Sequence, residues 1–183
     1  NVSGDVNFPF RADICYEYGT DAQGFICVKD DLTDSDVTTG DSVCLANEAK
    51  VIENSGAPVH VLSLAESAAG SNSIAFTFEV SHRGSGLISS PNSWCDDSIG
   101  NKSVVQITVD TGITGGVLDC TQLDSGSNGY ASGSIQLFNG KRTIRCTQDL
   151  GDLTSDYEKI VDIKLSYDYK EHTTTDLTVR HSG

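Results

Sequence analysis

Residues able to do chemistry are few in this chain, and they are scattered. His60, His82, His172 and His181 stand far apart, and no two have the i, i+4 spacing of a helical zinc pair. His60 lies between Val59 and Val61, so it is expected to point outward from a strand. There is no G-x-S-x-G nucleophile elbow, no G-x-G-x-x-G and no P-loop. Carboxylates are abundant, but a hydrolytic pair is defined by separation in space, not by order along the chain. The expectation is a protein that is not an enzyme and carries no organic cofactor.

Acid concentrates in one stretch. Asp30, Asp31, Asp34, Asp36 and Asp41 crowd between Cys27 and Cys44, and a bridge between those cysteines would gather them into an Ω-like loop. Calcium takes oxygens from such carboxylates and would relieve their repulsion. The EF-hand spacing is not met, because no Gly stands at the sixth place and no Glu at the twelfth. A solvated acidic loop is the favoured expectation, with calcium at Asp30, Asp31, Asp34 and Asp36 as its rival. Asp96 and Asp97, just after Cys95, repeat the pattern weakly. Trp94 is expected to pack in the core against a disulfide, and its rival role is an exposed platform for stacking a sugar. Tyr16 with Tyr18, and Tyr167 with Tyr169, each fall on one face of a strand, as a cross-strand ladder requires.

Six cysteines (Cys15, Cys27, Cys44, Cys95, Cys120 and Cys146) form an even set without the close pairs of a zinc site. Three disulfides and an oxidising compartment are expected. The pairing stays open on the sequence. The compact acidic loop favours Cys27–Cys44, with Cys120–Cys146 as a trial pair and Cys15–Cys95 following by elimination. Sequons at Asn1 and Asn101 fit a glycoprotein. The chain has no Met and does not open on a basic and apolar leader, so either a leader has been removed or this is a fragment. Together these features predict a protein outside the cell or at its surface.

The 183 residues carry 26 Asp and Glu against 12 Lys and Arg, a net charge of −14. That balance disfavours nucleic acid, whose phosphates need clustered cations, and disfavours anionic lipid. No apolar run approaches the ~18 residues of a membrane span.

The elements that must position these groups are strands. Short runs alternate apolar and polar residues between turns rich in Gly, Ser, Thr and Asp, which predicts an all-β domain. Ile74, Phe76, Phe78 and Val80 share a face, as do Val105, Ile107 and Val109, and again Val161, Ile163, Leu165, Tyr167 and Tyr169. Val59 and Val61 start a further strand, and Leu177 and Val179 mark a short one near the C-terminus. Asn139-Gly140 suits a type I′ turn, so its flanks are expected to pair as a hairpin with Ile135 opposite Ile144 and Gly133 opposite Cys146. Leu45 to Ile52 is read as a turn or two of helix, and Gly84–Ser90 and Ser125–Ser134 as loops. The sum is a disulfide-bonded β-sandwich.

The front of the chain stands out. Val6, Phe8, Phe10, Ala12, Ile14, Tyr16 and Tyr18 alternate without a break, about twice the usual strand length. Pro9 cannot donate a ladder hydrogen bond, which suggests a cut there. Residues 1–9 are then an arm carrying Val2, Val6 and Phe8, with Phe10 at its root, and residues 10–183 a single sandwich domain. Such an arm can add to the sheet of a neighbouring copy, or both halves can pair within one domain.

Cys15-Tyr16-Glu17-Tyr18, Ile26-Cys27-Val28, Gly56-Ala57-Pro58-Val59 and Leu165-Ser166-Tyr167-Asp168-Tyr169 together resemble uncharacterised exported β-sandwich proteins of archaea and environmental metagenomes. The resemblance implies an immunoglobulin-like fold over Gly56 to Gly86 and brings no catalytic residue with it. The general plan is also similar to extracellular archaeal threads and bacterial pili, whose subunits exchange an N-terminal strand. The function expected is a structural subunit of an extracellular filament, a head-to-tail polymer of copies of itself. The alternative is a monomeric adhesin or carbohydrate-binding module stabilised by calcium.

Overall fold

Alternation becomes strand almost everywhere. The computed structural model describes residues 4–29, 43–151 and 155–180. Among these there is no helix, and every strand pair is antiparallel. The strands are β1 (Val6–Val28), β2 (Ile52–Asn54), β3 (Val59–Ala68), β4 (Ser73–His82), β5 (Leu87–Ser89), β6 (Val104–Asp110), β7 (Val117–Cys120), β8 (Asp124–Ser127), β9 (Tyr130–Gln136), β10 (Lys141–Asp149) and β11 (Tyr157–Val179). Hydrogen bonding runs β2-β1-β11-β6-β9-β8-β7-β10-β4-β3, with β5 added beside β11. The two ends of that path meet. The Asn54 side chain donates to the Val61 carbonyl at 2.8 Å and accepts from the Val61 N–H at 2.7 Å. The sheet thus folds over on one core, in which Val59, Val61, Phe76, Phe78, Val105, Ile107, Val109, Ile144, Ile163 and Leu165 are buried.

Three disulfides close this frame: Cys15–Cys95, Cys27–Cys44 and Cys120–Cys146. Cys120 and Cys146 face each other directly across β7 and β10.

Several local expectations change. Asn139 and Gly140 do take positive φ, 51° and 77°, and Phe138 and Lys141 exchange both backbone bonds at 3.1 Å. The hairpin stops there. Beyond the turn β9 pairs with β6 and β8, while β10 pairs with β4 and β7, so Ile135 lies opposite Val105 and Cys146 opposite Phe76. The Leu45–Ile52 stretch is not helical. It bends, and Ala49 bridges to Ala65. The Ser125–Ser134 stretch is not a loop but most of β8 and β9, joined by Asn128 and Gly129 at φ 60° and 75°.

The largest difference is at the front. β1 pairs with β11 residue for residue, without a slip, from Val6↔Val179 to Val28↔Tyr157. The strand is not cut at Pro9, which sits opposite Asp176. Proline is tolerated because β2 covers only Ala22–Gly24 of β1's other edge, leaving β1 an edge strand at Pro9. The first strand therefore has its partner within its own chain.

β5 lies so close to β11 that Gly86 has no room for a side chain. A Cβ there would stand 2.6 Å from the Lys170 carbonyl oxygen and 2.6 Å from the Tyr169 ring. Gly86→Ala is expected to cost about 1–3 kcal/mol, since the obstructing carbonyl is backbone and cannot swing aside. A urea denaturation midpoint unchanged from wild type would contradict this.

Candidate functional site

In the paired β1 and β11, even-numbered residues of β1 share a face with odd-numbered residues of β11. Over the core that face is a tyrosine ladder. Tyr18 stacks on Tyr167 with centroids 6.0 Å apart, and Tyr16 meets Tyr169 edge-on at 5.9 Å. The hydroxyls are used: Tyr18 donates to the Gly56 carbonyl at 3.1 Å, and Tyr169 accepts from the Gly86 N–H at 2.7 Å. The expected ladder is present.

Past the tyrosines the same face runs on into solvent. Phe8, Phe10, Ile14, Leu177 and Val179 are 44–56% exposed, with Phe8 directly opposite Leu177 and the half-buried Val6 opposite Val179. Along this stretch the reverse face is polar. Arg11 pairs with Asp13 at 2.7 Å, and the Thr178 hydroxyl bonds Asn7 at 2.7 Å. The ribbon is thus amphipathic with a period of two here, and its apolar side is exposed among the described residues.

A second apolar patch lies at the other end of the same two strands. Phe25 and Ile160 face each other on the reverse face and are about half exposed. Val51, next to the β2 residue that pairs with Gly24, is exposed, as are Val43 and Leu45 beside the Cys27–Cys44 bridge. At about 3.3 Å per residue, the two patches are on the order of 55 Å apart along the strand.

Trp94 is not in the core: it is 91% exposed. The reason is local. Asn92, Trp94 and Cys95 all have positive φ, near 60°. The buried Asp168 carboxylate draws the backbone inward, accepting from the Asn92 N–H at 3.1 Å, the Cys95 N–H at 3.2 Å and the Ser93 hydroxyl at 3.3 Å. Cys95 is bonded to Cys15, and Trp94 is left at the rim of a small cleft with Tyr16, Glu17 and Asp168.

The metal candidates separate. Asp30, Asp31, Asp34, Asp36 and Asp41 lie outside the described residues, as do Asn1, Val2 and His181. Among the described residues Cys15, Cys95 and Asp168 come close enough to share an ion, but the two sulfurs are bonded to each other. Asp96 is held below the usual carboxylate range by bonds from the Ser98 N–H, the Asn101 amide and the Ser98 hydroxyl. The Asn101 sequon side chain is therefore engaged at 2.8 Å, on a partly exposed loop. His60 alternates with the buried Val59 and Val61 and is half-buried.

One buried carboxylate was not legible in advance. Glu66 on β3 accepts the Cys27 N–H with both oxygens, at 3.0 and 2.9 Å, and Lys50 Nζ stands 3.6 Å away. Burial raises its pKa to about 7 against the pull of those partners.

These features define a class: an all-β, disulfide-bonded protein with an amphipathic two-stranded ribbon. Comparison with protein-family models, curated proteins and solved structures gives no match.

Proposed function

We propose that this chain is the structural subunit of an extracellular filament, joined head to tail to copies of itself through the β1–β11 ribbon. The observation that carries the proposal is the pair of apolar patches at opposite ends of one ribbon, Phe8–Phe10–Ile14–Leu177–Val179 and Phe25–Ile160–Val51. The two patches are not equivalent, so a contact between them is heterologous and need not close into a ring. Strand donation in the narrow sense would require Val6, Phe8 and Phe10 to leave their β11 partners. Docking of the intact ribbon requires no such exchange and uses the same side chains. Three disulfides support an oxidising exterior, and the net charge of −14 would limit lateral clumping. An immunoglobulin-like kinship for Gly56 to Gly86 is supported by the antiparallel pairing of β3 with β4 across that stretch.

The double variant Phe8→Asp, Phe10→Asp tests the proposal. Both side chains are exposed, so the variant should melt within a few degrees of wild type. Negative-stain microscopy and sedimentation should show fibres from the wild type and single particles from the variant. Fibres from both, or single particles from both, would overturn it.

The exposure of Trp94 favours a second reading, a monomeric adhesin or carbohydrate-binding module. Its test is oligosaccharide binding that is lost in Trp94→Ala. A calcium-stabilised form would in addition show a lower melting temperature on chelation.

A further inference from the structure

Beside the root of the ribbon is a cavity that neither the ribbon nor the Trp94 loop explains. It measures about 100 Å³ and lies between β5, the Asn139-Gly140 turn and the loop that follows Cys95. Its walls include Leu87, Ile88 and Leu137 together with Cys95 of a disulfide. Its polar lining is Ser89, Ser103, His82, Lys102, Lys170 and Asp97.

Two of these groups lack a partner. Ser89 is 4% exposed, and among the described residues its Oγ has no hydrogen-bond partner, nor has the buried Nε2 of His82. A buried polar atom left unsatisfied costs roughly 1–3 kcal/mol, and native interiors seldom tolerate it without a reason. Here the two residues that carry such atoms line one space. No backbone strain forces this arrangement: Ser89 lies in a regular strand pair opposite Asp168, and His82 ends β4 with its N–H on the Gly140 carbonyl. Burial holds the His82 imidazole below its ordinary range, so near neutral pH it is uncharged and its Nε2 can serve as a single hydrogen-bonding group.

The lining also sets the charge and size of an occupant. Two lysines against one aspartate give an excess of positive charge, in a protein whose overall charge is −14. The apolar wall calls for a hydrocarbon part, which sulfate and phosphate lack. The volume is below the ~150 Å³ of cavities that admit benzene, so the ligand has about half a dozen heavy atoms at most. We propose that this cavity binds a short-chain monocarboxylate, its head group at Ser89, His82 and the lysines and its alkyl end against Leu87, Ile88 and Leu137.

Propionate is the probe, titrated into the full chain at constant ionic strength and followed by amide chemical shifts. Propionamide serves as the uncharged isostere and sulfate as the anion without an alkyl end. Saturable shifts confined to residues 82–89, 95–103, 137–140 and 169–171, with propionate alone, are expected. Ser89→Ala removes no internal hydrogen bond, so it should fold with an undiminished melting temperature and bind propionate at least tenfold more weakly. Lys102→Gln, on the exposed rim, should also weaken binding severalfold. Absence of saturation, an equal response to propionamide or sulfate, or unchanged affinity in Ser89→Ala would each overturn the assignment.

Discussion

Raising the pH from about 5 to about 8 is expected to cost this protein about 3 kcal/mol of stability through Glu66 alone. Its carboxyl titrates near 7 in the folded chain against an ordinary 4.5, and each unit of difference is worth about 1.36 kcal/mol. Between those two values the folded state holds a proton that the unfolded state has released, so stability falls as pH rises. The contribution is fully present below about 4.5 and is lost as pH passes about 7. The cause is burial. The Cys27 N–H and the Lys50 ammonium favour the ionised form, but Lys50 is shared with Glu48 at 2.7 Å, and desolvation outweighs them. Glu66→Gln keeps the shape and an acceptor for Cys27 while removing the titration. The difference between wild-type and variant unfolding free energies, measured in urea at half-unit steps, should slope through this window. A flat difference would show that Glu66 stays ionised throughout.

How far the sequence announces this structure depends on the range of each signal. Alternation is local, so the buried faces of β4, β6 and β11 were legible, and so was the tyrosine ladder. Positive φ at Asn139 and Gly140 was legible for the same reason. Which strands then pair was not, because a turn fixes the chain's reversal but not whether its flanks enter the same part of the sheet. The Asn128-Gly129 turn carried the same signal. It was obscured by Ser- and Gly-rich flanks that have little intrinsic strand preference. The register of β1 against β11 is a subtler case. A shift by two residues leaves every side chain on its own face, so alternation fits many registers equally and could not reveal that Phe8 meets Leu177. Pro9 pointed to a break, but its missing donor matters most where strands flank both edges, and among the described residues β1 has only β11 beside it at Pro9. Trp94 was misplaced because its outward position depends on a run of positive φ held by a carboxylate 74 residues away in sequence, Asp168.

Asp168→Ala is accordingly expected to destabilise the protein by about 3 kcal/mol and to release the loop around Trp94. The carboxylate is 2% exposed and receives three hydrogen bonds, two of them from backbone N–H groups. Bonds to a charged acceptor are worth roughly 1.5–3 kcal/mol each. The loss is less than their sum because Asn92 is exposed and water can replace its bond. Cys95 is buried, so its N–H would be left without a partner, and Trp94 at φ 57° would have nothing to hold it there. The Cys15–Cys95 bridge would still tether the loop, so the defect should be local before it is global. Hydrogen exchange should accelerate at Asn92 and Cys95 while the β4 and β6 amides keep their protection, and the urea midpoint should fall. Asp168→Asn, which retains one acceptor oxygen, should recover part of the loss. Unchanged exchange at Cys95 in Asp168→Ala would mean that the disulfide alone shapes the loop. The exposure of Trp94 would then owe nothing to the buried carboxylate.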